Sequence, residues 1–597
     1  MGSLAASLSL LAGCASPLDG RHEPGELQQT IIKSIRDDLA EPMARPEPIT
    51  STSSIGLDEY PDSLVRDIES RVGELDEMAG PTAYSFDGDD LPLGPDLLGQ
   101  DQAIVGITLE QAIRVAVENN LELRFARLEP IISEMQTIQA EAAFDWIFFT
   151  SLQYSELDQQ LQDRSTSGVN LAAETTQNQE VAWVTGVRRQ LDTGAQLQLQ
   201  QEYAYGIADQ TGFELAPNPS NELTFALQFD QPLMRGFGRD VGLAQVRLNR
   251  NAERDAIAEL RGELVATVLE TERAYWLLAQ AHRDLLILKR LEERGKNVFD
   301  RVYERRRIDA APPQIFSVLS RVEDRKGNVI AAQNVLRRRS DSLKRLINDP
   351  SLPMSGEALL IPLDGPTTQP VSYSMLDALT TAVEHRPEID RAILSIDSAT
   401  IRRVVAENNL LPQLDLRTQF RINALEDDIR NTFDTASEAR FIDIVVGLFF
   451  EQPIGNRGAE ALARQRLIER EQAMLSLRNT VQGIALEIRS QLDNMVTNYR
   501  LIEQRRIARL AAAETLRALI VQNETIQGFT IERLEVELNR QEGLAQAERS
   551  EIEALVNYQI SIAELNAATG TNLERNQIEV RVDDPGPDAL LDSGAND

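Results

Sequence analysis

Two stretches of this 597-residue sequence repeat one pattern more than two hundred residues apart: FALQFDQPLMRGFGRDVGLAQ at 225–245 and VGLFFEQPIGNRGAEALARQ at 446–465. Each begins with apolar residues of the β type and passes through an acidic residue, Gln and Pro. A glycine-bearing turn and a long helical pattern follow. Gln231–Pro232 and Gln452–Pro453 mark the change. Because a repeat bears on the whole architecture, we interpret the chain as two related halves.

The helices that open the two halves support this interpretation. The first reads ITLEQAIRVAVENNLEL and the second reads YSMLDALTTAVEHRPEI. Thr108 is predicted to be the N-cap of the first helix, with Gln111 at the third helical position. The apolar residues that follow recur at helical spacing. Both segments therefore predict an amphipathic helix at the start of each half.

Four predicted strands follow. Those at 223–230 and 413–422 alternate between apolar and polar residues, and strands at 146–156 and 441–450 complete two pairs. In 413–422 every second residue is apolar or Thr, and the residues between them are polar or charged. Alternation over about ten residues is typical of strands in outer-membrane proteins. A soluble sandwich with one hydrated face would explain any single strand equally well. It is a poorer explanation of four such strands among long helices.

Long helical patterns without proline occupy 241–308 and 459–526, and shorter ones return at 314–348 and 530–569. Each long pattern covers roughly 68 residues, which corresponds to about 100 Å of α-helix. A return helix is about half as long, and the opening helix, predicted at 109–141, supplies about the other half. Two short helices placed end to end would therefore match one long helix in each half.

Composition restricts the function. The formal net charge of −34 argues against a nucleic-acid partner, which requires a basic surface. It suits an ordinary hydrated surface and would also suit a duct with an acidic lining. No stretch reaches the roughly 18 apolar residues of a transmembrane helix, so none is predicted.

The single cysteine lies in Leu11–Cys14, a Leu-Ala-Gly-Cys sequence after an apolar run, and this resembles a bacterial lipobox. The resemblance implies that residues 1–13 are a signal segment and that Cys14 is the lipid anchor. The segment has no Lys or Arg before its apolar run, as a secretory signal should have. We therefore expect that the true start lies upstream or that the leader is shortened here.

Together these features resemble the TolC-like outer membrane efflux proteins, of the lipoprotein type, over about residues 106–570. The opening helices, the Gln-Pro junctions, the turns and the endings LKRLIND and IAELNAATG carry the resemblance. It implies an α+β membrane protein with two structural repeats per chain, each chain giving four strands. Three chains would form a 12-strand transmembrane β-barrel, continued by a long antiparallel α-helical coiled-coil periplasmic tunnel.

The resemblance also implies partners and a location. We expect a homotrimer in the outer membrane of a Gram-negative-type bacterium, lipid-anchored and with a large periplasmic part. A periplasmic adaptor (membrane fusion) protein, an inner-membrane transporter and outer-membrane lipid are the implied partners. Six domains or segments are expected: the signal segment 1–13, a Pro- and acid-rich arm 14–105, a first repeat 106–350, a linker 351–372, a second repeat 373–570 and an acidic tail 571–597.

The barrel-to-tunnel junctions are the first candidate functional sites. Pro232 and Pro453 cannot donate to a strand ladder and have a fixed φ, which suits a chain that leaves a barrel. The glycines that would let the chain turn are Gly236, Gly238, Gly455 and Gly458.

The candidate periplasmic entrance departs from the family pattern, in which Asp residues just past the turn form constricting rings. Here Arg533 stands where the acid is expected, and Glu532 and Glu535 flank it. By threefold symmetry either glutamate would form a ring that favours cations. A solvated helix face is the other interpretation of these residues.

The segment 181–206 is a second departure. Its Asp-Thr-Gly turn and its alternation predict two further strands. Such strands would extend above the membrane or enlarge the barrel, and we prefer the extracellular extension.

No motif for catalysis, metal binding or a cofactor appears, because His22, His282 and His385 are scattered and no phosphate-binding loop is present. We therefore predict no enzyme activity. The first hypothesis is a passive outer-membrane exit duct of a tripartite efflux or type I secretion system. The alternative is a non-conducting coiled-coil lipoprotein that spans the periplasm.

Overall fold

The computed structural model describes residues 33, 66, 68, 70–79, 93, 103–159, 164–166, 169–171, 176–210, 216–308, 310–372, 374–525 and 531–579. The chain divides into two compact units. The sheet unit comprises the described residues within Ile131–Asp255 and Ala392–Leu477. The helical unit comprises those within Pro24–Pro130, Ala256–Arg391 and Arg478–Asp597. The predicted lipid anchor Cys14 lies outside the described residues.

The strands among the described residues are β1 Ile104–Ile107, β2 Ile147–Gln159, β3 Arg164–Thr166, β4 Val169–Leu171, β5 Thr176–Gln190, β6 Gln196–Gln210, β7 Ser220–Pro232, β8 Leu359–Pro362, β9 Gln413–Glu426 and β10 Phe441–Glu451. The short helices are α1 Val72–Ala79, α2 Leu109–Asn119, α3 Leu121–Ala126, α4 Leu128–Glu141, α5 Arg239–Gly242, α8 Met375–His385, α9 Pro387–Asn408, α10 Ile429–Ser437 and α13 Asn572–Arg575. The long helices are α6 Ala244–Glu304, α7 Pro312–Ile347, α11 Arg457–Thr525 and α12 Ile531–Thr569. None of the helices in the described part of the chain has the length and hydropathy needed to cross a membrane.

The predicted long and return helices are confirmed, with ends that differ by a few residues. The predicted N-cap is confirmed as well, since the Thr108 side chain accepts from the Gln111 amide in a complete capping box. The opening helix at 109–141 was expected to be continuous, and that expectation is wrong. At Asn120 the backbone leaves the helical region (φ −57°, ψ 128°), and its side chain caps the next helix at Glu122 and Leu123.

The second half breaks at the equivalent place for a different reason. Arg386 is extended (φ −77°, ψ 120°) between α8 and α9. Pro387 follows it, and a residue before proline is sterically kept out of the helical region. Both opening helices are therefore interrupted, one by an asparagine cap and the other by a proline.

The sheet unit contains one six-stranded sheet in the order β10-β9-β7-β6-β5-β2, with every neighbouring pair antiparallel. The strands β5 and β6 contain the segment 181–206. Our preference for an extracellular extension was wrong, because both strands lie inside the sheet between β2 and β7. The expectation of four strands per chain is therefore also wrong, and the count of twelve strands in a trimer rested on it.

The helical unit has its own core, in which α6, α7 and α12 bury apolar residues against one another. Tyr275, Leu336 and Val556 are among its fully or nearly fully buried members. A small parallel sheet of β1 and β8 packs on this core, with all four residues of β8 buried. The segment 351–372, which the sequence predicts as a linker, thus contains a core strand. The Tyr275 hydroxyl donates to Asp364 Oδ2 (2.9 Å) just past that strand.

One described part of the N-terminal arm packs on the helical unit. Leu75 of α1 is fully buried against Leu510, Leu516 and Leu544. Arg71 pairs with Glu514 (3.1 Å). An apolar residue set among ion pairs is the usual way for a short helix to bind a helical surface. The described helix of the arm is therefore part of the helical unit's packing.

Candidate functional site

One face of the six-stranded sheet carries rows of apolar residues, one of which crosses all six strands. Residues paired across neighbouring antiparallel strands project to the same face. One row of partners across all six strands consists of Phe148, Val187, Leu199, Leu227, Phe420 and Ile444. A second row consists of Leu152, Trp183, Tyr203, Leu223 and Ala424. The apolar positions of the single strands are therefore in register across the sheet.

This apolar face is mostly uncovered. The side chains of Leu152, Ile444 and Leu448 are 74%, 70% and 68% exposed. The exception lies at one end, where helix α10 packs over Leu223 and Ala424. Continuous apolar patches of this kind mark a surface for lipid or for a protein partner.

The height of the apolar face suits a membrane. From Leu414 to Ala424 the apolar positions of β9 cover ten residue steps. That distance is about 33 Å along a strand, or about 25 Å at the tilt usual for outer-membrane strands. The value agrees with the apolar band of outer-membrane proteins, which is about 25 Å tall.

Aromatic side chains lie at both ends of the apolar face. Tyr154, Trp183 and Tyr205 occupy adjacent rows near one end and remain at least 36% exposed. Phe148 and Phe450 lie near the other ends of their strands and are also exposed. Outer-membrane proteins carry aromatic belts at both membrane interfaces, because these rings pack against lipid while polar tips stay hydrated.

The opposite face of the sheet is mostly polar, and its large apolar residues lie mainly on the edge strands β2 and β10. Arg417 Nε donates to Asp230 Oδ1 (2.9 Å), and the two residues are cross-strand partners. Asn423 Nδ2 donates to Asp443 Oδ2 (2.6 Å) between β9 and β10. Charged and amide side chains that hydrogen-bond along the surface require water on their open side. The two faces of the sheet therefore suit an apolar environment on one side and an aqueous one on the other.

The edges of the sheet are open. Among the described residues, β2 and β10 have a strand partner on one side only. An unpaired strand edge presents free N–H and C=O groups that can pair with another chain. With six alternating strands, β2 and β10 run in opposite directions. The free edge of β10 is thus suited to antiparallel pairing with the free edge of β2 in a second copy.

The first predicted junction contains two residues in the left-handed region, Gly236 (φ 84°) and Gly238 (φ 101°). The Gly236 amide donates to Asn408 Oδ1 (2.7 Å), and the Gly238 amide donates to the carbonyl of Thr193 (3.1 Å). Pro232 is the last residue of β7, opposite Asp415. The predicted residues therefore end a strand and turn the chain.

The turn of the β5–β6 hairpin packs tightly on this first junction. A Cβ on Gly242 would lie 2.1 Å from the carbonyl oxygen of Asp192, and a Cβ on Gly194 would lie 2.3 Å from that of Gly236. Arg239 pairs with the Asp192 carboxylate (2.8 Å). Gly194 and Gly242 were not predicted, because their need for a missing side chain arises from contacts between distant segments.

The second predicted junction is nearly bare, although Asn456 Nδ2 donates to the carbonyl of Leu410 (3.2 Å). Gly455 is left-handed (φ 89°), and a Cβ there would meet nothing within 4 Å. Gly458 lies in the first turn of α11 and also has open space around it. The side chain of Ile454, next to Pro453, is completely exposed.

The candidate entrance residues lie in the first turns of α12. Glu532 is exposed, and Arg533 and Glu535 are half-buried. The sequence did not single out the buried polar residues nearby. Arg325 donates to the carbonyls of Leu291 (3.0 Å) and Leu538 (2.9 Å) and to Gln541 Oε1 (3.0 Å).

Other buried ionisable groups in the helical unit have shifted pKa values. Burial, aided by the neighbouring Arg283, lowers the pKa of His282 to about 4, so this residue is neutral near pH 7. Burial raises the pKa of Glu551, although Arg509 pairs with it. In the described part of the chain, no group of three or more His, Cys, Asp or Glu residues could hold a metal ion.

No protein-family model matches the sequence, and no curated protein matches it. Solved structures do match. The Campylobacter jejuni CmeC outer membrane channel superposes with a TM-score of 0.55 at 14% identity, covering 82% of this chain and 96% of that one. VceC, an outer membrane protein of Vibrio cholerae, gives a TM-score of 0.55 at 14% identity, covering 77% and 96%. The open MtrE outer membrane channel of Neisseria gonorrhoeae gives 0.53 at 15% identity, covering 78% and 89%.

These matches show that the chain shares a mixed α/β fold with long helices with bacterial outer membrane channels. More specifically, the chain has the fold of the TolC-like outer membrane factors, and the resemblance seen in the sequence is confirmed at the level of the fold.

Proposed function

We propose that this chain is the passive outer-membrane exit duct of a tripartite efflux or type I secretion system. The observation that carries the proposal is a single amphipathic sheet with two open edges, in a chain with the fold of outer membrane channels. The long helices would form the periplasmic tunnel. A periplasmic adaptor and an inner-membrane transporter would supply the substrate and the energy.

Closure by identical copies follows from the sheet's edges. Each chain leaves β2 and β10 unpaired among its described strands. In a ring, β10 of one copy pairs with β2 of the next, which removes every open edge. We propose three copies, as the family resemblance implies. The polar face, with Asp230, Arg417 and Asp443, then lines the lumen, and the apolar face contacts lipid.

In this proposal the chain contacts lipid in two ways. The apolar face with its aromatic ends spans the outer membrane, and Cys14 carries the lipid anchor. Mass spectrometry of the protein from native membranes tests the anchor. Lipidated Cys14 at the mature N-terminus is the expected result, and an unprocessed Met1 with an unmodified Cys14 would exclude it.

The candidate entrance is part of the same proposal. Glu532 or Glu535 would form a ring of three carboxylates that attracts cations, with Arg533 beside it. The double variant Glu532→Gln/Glu535→Gln should weaken block of the channel by multivalent cations in single-channel recordings. Unchanged block would show that both residues belong to a solvated helix face.

The main experiment uses the purified full chain in planar lipid bilayers, with its assembly state measured by chemical crosslinking. Conducting trimers are the expected result. Trimers that never conduct would contradict the duct and favour the non-conducting periplasm-spanning lipoprotein. Stable monomers in lipid would contradict the closure of the barrel by several copies of the chain.

A further inference from the structure

The β5–β6 hairpin spans the full height of the sheet. Its first strand pairs with β2 from Ile147↔Arg188 at one end to Gln159↔Thr176 at the other. Its second strand pairs with β7 from Gln196↔Asp230 to Gly206↔Ser220. A hairpin that protruded beyond the membrane would pair with its neighbours only near their tips. These two strands instead separate β2 from β7 along their whole length.

The hairpin is also fixed at its turn. Thr193 accepts a hydrogen bond from the Gly238 amide, and Asp192 pairs with Arg239 (2.8 Å). The turn lies so close to the chain after β7 that Gly194 and Gly242 have no room for a side chain. Backbone contacts of this kind favour one fixed position of the hairpin.

We propose that the β5–β6 hairpin is a permanent part of the channel wall, so that three copies close a barrel of eighteen strands. This inference rests on the proposed duct. Six strands per chain replace four, and barrel diameter grows roughly in proportion to strand number, so the lumen would be about one and a half times as wide. A barrel of this size encloses an open aqueous channel. The outer part of the duct would thus admit bulky polar solutes.

Two features of the hairpin agree with a widened lumen. It adds two strands, so the edges still meet in antiparallel directions, whereas a single added strand would reverse one edge. Its polar face carries the small residues Ala182, Gly186, Ala204 and Gly206 in addition to longer polar ones. Small side chains leave space inside a barrel, whereas bulky ones fill it.

Engineered disulfides test the hairpin's position in the full chain. The pairs Thr150→Cys/Thr185→Cys and Leu199→Cys/Leu227→Cys join cross-strand partners and should form intramolecular disulfides. The matched pair Thr150→Cys/Phe225→Cys tests the other arrangement, in which β2 pairs directly with β7. In our sheet these two residues lie three strand spacings apart, about 14 Å, which is too far for a disulfide. Crosslinking of this third pair instead of the first two would overturn the inference. Single-cysteine variants control for pairing with Cys14.

The exclusion of polymers of graded size tests the width of the lumen. In planar bilayers, polyethylene glycols of graded size are added on the side of the outer mouth, to the full chain and to a variant lacking residues 172–211. The largest polymer that lowers the conductance should be about one and a half times larger in radius for the full chain. An equal limit for both would overturn the widened lumen. Loss of conductance in both proteins would instead contradict the proposed duct. If the variant does not assemble, the disulfide pairs still decide the hairpin's position.

Discussion

The two Gln-Pro junctions have nearly the same sequence pattern but very different surroundings. After Pro232 the chain turns beneath the hairpin turn, with Asp192 and Gly194 in close backbone contact. After Pro453 a Cβ on Gly455 or Gly458 would meet nothing within 4 Å, Asn456 donates to the carbonyl of Leu410 (3.2 Å), and Ile454 is completely exposed. At the first junction Gly236 and Gly238 are required by their left-handed φ, and backbone atoms leave no room for a side chain at the adjoining Gly194 and Gly242. At the second junction, only the left-handed φ of Gly455 requires a glycine.

This difference shows what the inserted hairpin does to the first half. It adds two strands to the sheet, and it also covers the point where β7 ends. The second half has no such hairpin among its described residues. Its junction follows β10, which is an edge strand of the sheet. The bare junction therefore adjoins the free edge, where a neighbouring copy would lie in the proposed trimer.

The largest effect is expected from Gly242→Ala. Its Cβ would lie 2.1 Å from the Asp192 carbonyl oxygen, so the hairpin turn or α5 must move. We expect a loss of about 3 kcal/mol in the free energy of unfolding, measured by denaturant titration of the purified protein. Gly458→Ala is the control, because its surroundings are open and it lies in a helix. Equal stability of the two variants would show that the hairpin turn is not packed on the junction.

Two glycines in the left-handed region distinguish the cost of a positive φ from the cost of steric overlap with neighbouring backbone atoms. Gly194→Ala and Gly455→Ala both place an alanine at positive φ, which costs about 1–2 kcal/mol. Only Gly194 also meets a backbone oxygen, that of Gly236. Unfolding measurements should therefore find Gly194→Ala more destabilising by about 1 kcal/mol or more. The reverse order would contradict the comparison.

Ile454→Glu tests whether a neighbouring copy covers the second junction. Burying an isoleucine side chain is worth about 1.5–3 kcal/mol, so a charge there should lower the association constant for the trimer about tenfold or more. The unfolding of the monomer should not change, because Ile454 contacts nothing within its own chain that shields it from solvent. Leu233→Glu is the counterpart, at the residue after Pro232, and should affect trimer formation less. Normal assembly of Ile454→Glu would mean that this junction stays bare in the complex.

The smallest effect is expected from Arg239→Ala, which removes the ion pair with Asp192. Both side chains are largely exposed, and exposed pairs contribute at most about 1 kcal/mol. The free energy of unfolding should change by less than that amount, and added salt should reduce the difference further. A change as large as that of Gly242→Ala would mean that the ion pair, and not backbone packing, fixes the turn.

Local sequence patterns were sufficient to predict many of the individual helices and strands. Helical spacing predicted the long helices and their return helices within a few residues, and alternation predicted the strands and the hairpin at 181–206. Thr108 was identified as a cap because its hydrogen-bond partner is three residues away. These features depend on neighbours in the chain, and local patterns record them.

The position of the hairpin depends on long-range strand pairing. Alternating polarity is the same in a strand that widens a sheet and in one that extends beyond it, because the partner strand is not encoded locally. The same holds for Gly194 and Gly242, which are needed only because distant backbone atoms approach them. It holds too for Arg325, whose burial depends on acceptors in two other helices. The sequence thus specified the parts of each junction, and long-range pairing made one of them crowded and left the other open.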